Sequence, residues 1–402
     1  MEKKSVSGYR WIVLGAYMLI AALTQMYWLN FASIDTFVEK KLAVSAMRVG
    51  WLALVFPLMY VFLSIPSGFI IDKKGYRFSV GLGAVLAAVF ATLRLLNPAS
   101  YTILLLSQIG ISLGQPFVLN GVTKLAVGWF PQQEEATAVG LGSLALFIGM
   151  IVGLGGTPAL VHALGFEKML LAYAGLGIVG VIVFLALAKP CPLVETKTAA
   201  QDIPVNYFSG VKNLFKMRDF VLLGFIALIG IGTFNGLATW LEKILNEFHG
   251  ISMTDAGTIS GMLVLSGMVG CLVIPLISDS IRRRKPFIIL ASVIGMVGMM
   301  ILLFGHSYRI HFLNSLLIGF FLISALPIML TMSAEITGAA YAGVSVAYLQ
   351  LLGNGAAVGI VPIMEMLHKS AFGYSASIVF LIGLLSISFL LALFLHETAP
   401  IS

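Results

Sequence analysis

Windows of about 20 predominantly apolar residues recur twelve times along this chain, and no other property limits its folding so severely. They fall near 11–37, 49–71, 78–97, 101–126, 136–162 and 168–189, and again near 220–246, 255–278, 286–305, 310–334, 339–367 and 373–396; these are spans 1 to 12. Twenty residues are what a helix needs to cross a hydrocarbon layer about 30 Å thick. Lipid offers no partner to an open backbone group, and the segments lack the alternation of barrel strands, so each is expected to be a helix. Composition agrees. Only 10% of the 402 residues are charged, against about 25% in soluble domains. The expected class is an all-α membrane protein with the lipid bilayer as its solvent.

The formal net charge is +7, but the basic residues sit in short loops between apolar runs, with no basic arm and no basic helix stripe. That pattern orients a membrane protein and excludes nucleic acid as a partner. With the N-terminus inside, sixteen of the 24 Lys and Arg fall on one side, so both termini are expected to be cytoplasmic. Met1 to Arg10 is too short and too charged for a cleaved signal. Cys191 and Cys271 have neither metal spacing nor a disulfide framework.

One long polar interval, 190–218, divides the spans six and six. It is expected to be a cytoplasmic linker between an N-terminal half, 1–189, and a C-terminal half, 219–402. A charged turn is repeated in both halves. Gly68-x-x-x-Asp72-x-x-Gly75-x-Arg77 follows span 2, and Asp279 with the basic run through Arg283 follows span 8, 207 positions later (72 to 279). The pattern resembles the turn between helices 2 and 3 of major facilitator superfamily transporters. That resemblance implies two pseudo-symmetric six-helix halves, with a gating role for Gly68, Asp72, Gly75, Arg77, Asp279 and Arg283. Gly75 is expected to permit the tight turn. Small residues four apart, as at Gly149 and Gly153 in span 5 and Gly355 and Gly359 in span 11, are expected first to let helices pack closely.

Polar groups inside a membrane cost free energy and are functional candidates by default. In span 1, Gln25, Trp28, Ala32 and Asp35 are spaced to share one helix face. Span 4 carries Gln115 before Pro116, span 7 carries Asn235, and span 11 carries Gln350 and Asn354. The offset of 207 also carries Trp28 onto Asn235, so the two are expected to face each other across the pseudo-twofold axis. Pro116 and Lys124 match Pro327 and Glu335, which suggests a Lys124–Glu335 contact at the cytoplasmic mouth, either a gate or two wetted helix ends. No carboxylate lies near the middle of a span; Asp35, towards an outer end, is the candidate proton site.

Gln25-x-x-Trp28, Val49-Gly50-Trp51, Gly114-Gln115-x-Phe117, Trp129-Phe130, Ala334-Glu335-Ile336-Thr337 and Gln350-x-x-Gly353 together resemble the feline leukaemia virus subgroup C receptor family of major facilitators. Members are associated with choline, ethanolamine and haem. The resemblance implies that Trp28 packs on a quaternary ammonium, with Gln115 and Gln350 lining the site, by the attraction of an aromatic face for a cation. One departure matters: the family's second aromatic, on helix 7, falls where this chain has Asn235. A smaller or more polar solute, or a differently shaped cation, is then the expectation. The arginine that proton-coupled relatives carry on helix 4 also has no counterpart around Gln108 to Gly114.

The expected function is a secondary-active or facilitative transporter that moves a small organic solute, such as an organic cation or choline-like amine, by alternating access. The alternative is a proton-coupled drug or metabolite antiporter with Asp35 or Glu335 as the proton carrier. A receptor would be expected to carry a sizeable signalling domain. An enzyme would need a reactive set that this chain lacks: there is no His-Glu-x-x-His run, and the Gly-rich stretches lie within apolar spans. No cofactor or metal is expected, and the expected form is a monomer in the plasma membrane.

Overall fold

The computed structural model describes residues 8–190, 214–338 and 342–398 of the protein. Residues 191–213 of the expected linker and the first residues of the expected span 11 lie outside those described. Among the described residues, twelve helices are long and apolar enough to cross a membrane. They are spans 1 (Tyr9–Leu29), 2 (Ala46–Ile71), 3 (Lys73–Leu96), 4 (Tyr101–Trp129), 5 (Thr137–Leu164), 6 (Phe166–Leu187), 7 (Arg218–Phe248), 8 (Met253–Ile281), 9 (Lys285–Phe304), 10 (Tyr308–Thr337), 11 (Ser345–His368) and 12 (Tyr374–Leu393). Apolar side chains on most sides of each helix suit lipid on one face and protein on the other. The chain divides into two compact units, Met1–Gln201 and Asp202–Ser402.

Span 1 is the main departure from the sequence reading. Its helix ends at Leu29 rather than near 37; a 3₁₀ turn follows at Ala32–Ile34 and then a short helix, Asp35–Leu42. Asp35 therefore opens a new helix and does not continue the face of Gln25 and Trp28. The cause is hydrogen bonding of the Ser33 hydroxyl, which lies 3.0 Å from the Asn30 carbonyl and 2.8 Å from the Gly153 carbonyl of span 5, and which favours a turn over another helical turn. Span 4 also breaks, in the turn at Asn120 that follows Pro116, dividing it into Tyr101–Leu119 and Gly121–Trp129.

Between spans 2 and 3, Gly75 holds φ 80° and ψ 167°, a backbone that side chains disfavour, as the turn motif leads one to expect. Close helix contact explains Gly149: a Cβ there would lie 2.0 Å from the Ala22 carbonyl oxygen of span 1. Gly140, on the same span, has nothing within 4 Å of an added Cβ. Gly149→Ala should therefore lower stability by about 1–3 kcal/mol through overpacking, and Gly140→Ala should not. Thermal unfolding of the two purified variants in one detergent checks the contrast; equal melting temperatures would refute it.

Candidate functional site

In the first unit, the last turn of span 1 presents Gln25, buried, and Trp28, half-buried, three residues apart. Gln115 is buried just before the Pro116 bend. The broken segment of span 4 is tied to span 2: the Asn120 amide donates to the Ser67 hydroxyl at 2.9 Å and the Ser64 carbonyl at 3.2 Å, and accepts from the Tyr60 hydroxyl. Asp35 is buried at the start of its own short helix. Lys124 is half-buried beyond the break.

In the second unit, Asn235 donates its amide to the Ile231 carbonyl of its own helix at 2.8 Å. Its Oδ1 is buried and has no hydrogen-bond partner among the described residues. Asn354 likewise donates to the Gln350 carbonyl at 2.9 Å, so these two candidates sit one turn apart. An amide whose N–H₂ is occupied by its own helix offers its carbonyl oxygen, a hydrogen-bond acceptor, to whatever comes next.

The two charged turns differ in detail. Arg77 is exposed, Gly68 is half-buried, and the Asp72 side chain is outside those described. In the second turn Arg283 is exposed, and the buried cation is its neighbour Arg284. Arg284 pairs with Asp279 at 2.5 Å and Glu335 at 3.0 Å, with side-chain exposures of 7% for Arg284 and 6% for Glu335. The offset that superposes the two aspartates places Arg77 on Arg284 and Gly75 on Arg282. Arg282 also has a positive φ, 53°, but its ψ is 42° where that of Gly75 is 167°. Burial alone would lower the Arg284 pKa; its hydrogen bonds to Glu335 and Asp279 outweigh that and raise it.

Three groups of functional interest escaped the sequence reading. The segment after span 12 straps onto this second turn. Glu397 accepts the backbone N–H groups of Arg284 and Lys285, Thr398 donates to Glu335, and His396 contacts Asp219. At the other end of the unit, the rings of His249 and the buried His311 lie 4.2 Å apart. His311 lines a small cavity with Asn314, Ser315, leucines and isoleucines. The third is Arg94, wholly buried in the first unit and hydrogen-bonded to Gln108. A lone arginine in an apolar run was the available signal for it.

Residues 11–362 match the Major Facilitator Superfamily. The chain belongs to that superfamily. It is a multi-pass membrane transporter of small molecules, from a superfamily of transporters rather than enzymes. It is 26% identical to an uncharacterized MFS-type transporter of Caenorhabditis elegans, over 96% of this chain and 69% of that protein. The choline/ethanolamine transporter FLVCR1 of Mus musculus is 27% identical over 83% of this chain and 66% of its own length. FLVCR2 of Homo sapiens, also named a choline/ethanolamine transporter, is 24% identical over 86% and 69%. The chain thus spans about two-thirds of the length of these relatives. Two solved structures share the major facilitator fold. The bacterial homolog of the human lysosomal transporter Spinster, in an inward-facing and unoccupied conformation, has a TM-score of 0.74 at 16% identity, covering 97% of this chain and 98% of that one. The nucleoside transporter NupG has 0.75 at 13%, covering 96% and 98%.

Two predictions follow from the second unit. Glu335→Gln leaves the buried Arg284 with only the exposed Asp279 carboxylate and should destabilise by about 1–3 kcal/mol, whereas Arg283→Ala should stay within about 0.5 kcal/mol; thermal unfolding separates the two. His249, between spans 7 and 8, has its pKa lowered by burial, against the opposing hydrogen bond to the Leu302 carbonyl and with a further lowering from His306. The unfolded chain therefore takes up this proton more readily than the folded one. The stability is fully present above the unfolded value of about 6.5 and is lost as pH falls through the lower folded value. The melting temperature should drop on acidification from about pH 6.5, and less steeply in His249→Gln; an identical slope would count against this origin.

Proposed function

We propose that this transporter is a facilitator of small organic ammonium compounds, working by alternating access between its two six-span halves, with Gln25, Trp28, Gln115, Asn235, Gln350 and Asn354 lining the substrate path. The turns around Gly68, Asp72, Gly75 and Arg77, and around Asp279 and Arg284, with Lys124 and Glu335, form its gating elements. The reading draws its substrate class from the choline/ethanolamine transporters it resembles. Its termini and linker lie on the cytoplasmic side of a plasma membrane, by the excess of Lys and Arg in those segments. Proton coupling through Asp35 is the rival.

The open Oδ1 of Asn235 carries the finer choice. Trp28 attracts any ammonium through its ring face, by about 0.5–2 kcal/mol. A trimethylammonium head has no N–H to give, while a primary ammonium donates three hydrogen bonds. A hydrogen bond to a charged group contributes about 1.5–3 kcal/mol. An acceptor at position 235 in place of an aromatic ring therefore favours a primary amine such as ethanolamine over choline.

Thermal-shift titration with ethanolamine and choline, followed by uptake of both into proteoliposomes, tests this. A ligand that binds the folded state raises its melting temperature by mass action. Ethanolamine should stabilise more than choline; Trp28→Ala should abolish both effects, and Asn235→Phe should shift preference towards choline. Stabilisation by anions or neutral solutes alone would sink the ammonium reading and leave the transporter fold intact. Uptake driven by a pH gradient and lost in Asp35→Asn would favour the rival.

A further inference from the structure

Arg94 is an arginine with no exposed surface, in the 3₁₀ turn that closes span 3 at the end opposite Gly75. Burying a cation is costly unless its surroundings compensate. No carboxylate pairs with it among the described residues, and its Nε and Nη1 have no hydrogen-bond partner there. Compensation comes from elsewhere. The guanidinium carbon lies 5.1 Å from the centre of the Phe31 ring and 5.4 Å from that of Tyr27, both at the end of span 1. The carboxyl end of a helix also carries partial negative charge from its unpaired carbonyls.

The remaining contact has a directional consequence. Arg94 Nη2 donates to Gln108 Oε1. A guanidinium has donors and no acceptor, so it fixes which way the Gln108 amide faces. The Nε2 end must then point the other way, where it donates to the Tyr27 carbonyl at 3.2 Å and the Leu52 carbonyl at 2.9 Å. Tyr27 lies in the last turn of span 1, where a carbonyl needs a partner from outside its own helix. The Tyr27 hydroxyl completes the grip by donating to the Tyr173 carbonyl of span 6. Arg94 and Gln108 thereby join spans 1, 2, 3 and 4 at the turn that ends in Trp28 and Leu29.

We propose that Arg94, acting through Gln108, is a positioning residue that sets the rotation of the last turn of span 1 and so aims Trp28 at the substrate path. Asn30, wholly buried with both ends of its amide without a hydrogen-bond partner among the described residues, marks the same turn as one held in place at a cost. The ligand arm of this proposal rests on the ammonium-transport reading; its structural arm does not.

The test uses the full chain in detergent with 5-fluorotryptophan at all five tryptophans. The ¹⁹F resonance lost in Trp28→Phe identifies Trp28. Arg94→Met removes the guanidinium and keeps an apolar stem; Gln108→Met removes the relay and keeps the guanidinium. Both should displace the Trp28 resonance while those of Trp11 and Trp240 stay, and both should weaken ethanolamine binding about tenfold, the scale of one well-placed hydrogen bond. A lowered melting temperature with an unmoved Trp28 resonance overturns the proposal, since Arg94 would then be structural only. A displaced resonance with unchanged affinity also overturns it. If Arg94→Met does not fold, Arg94→Lys, which keeps the charge and loses the planar fork, gives the same readout beside Gln108→Met. If the wild type binds neither ethanolamine nor choline, the substrate reading has failed and the resonance alone decides the positioning role.

Discussion

Hydrocarbon supplies no hydrogen bonds, so every departure from a continuous helix inside this protein must be closed by a group the chain brings itself. The structure shows these closures wherever a span bends or stops. Gln108 and Ser33 serve the end of span 1, and Asn120 serves the bend of span 4. The Trp240 indole donates to the Val361 carbonyl next to Pro362, and the Asn314 amide donates to the Gly298 carbonyl. Intramembrane polar residues thus divide into two kinds. Some are consumed in closing the backbone. Others, such as Asn235, keep an atom open.

The two charged turns each pivot on a residue of positive φ and differ in the rest. Gly75 takes φ 80° with ψ 167° at no steric cost, whereas Arg282 sits in the left-handed helical region, at φ 53° and ψ 42°, against its Cβ. Arg282 is held there while the Ser278 hydroxyl donates to the Arg283 carbonyl and Arg284 reaches back to Ser278. The second turn also has a buried partner for its arginine in Glu335, which ties spans 8, 9 and 10 into one block.

The number and placement of the spans were legible because an apolar run of membrane length needs no partner to be recognised. The end of span 1 was not, because the residue that serves it, Gln108, stands 81 positions away from Tyr27. Arg94 was visible as a letter, but only the fold reveals that Gln108 and two aromatic faces surround it. The polar residue types of the candidate site were readable from their depth in the spans. Which end of each amide is occupied was not, since that depends on side-chain rotation: the Asn235 N–H₂ turns back on Ile231, and no sequence pattern records it.

The strap after span 12 bears on the order of assembly. Glu397 meets Arg284 across 113 positions, and His396 meets Asp219 across 177. During synthesis, spans 7 to 11 must therefore wait in the bilayer with the amino end of span 9 uncapped and Glu335 short of a partner. Only when span 12 has entered can the following residues close that edge. The C-terminal half is in this sense a structure completed by residues made after all six of its spans.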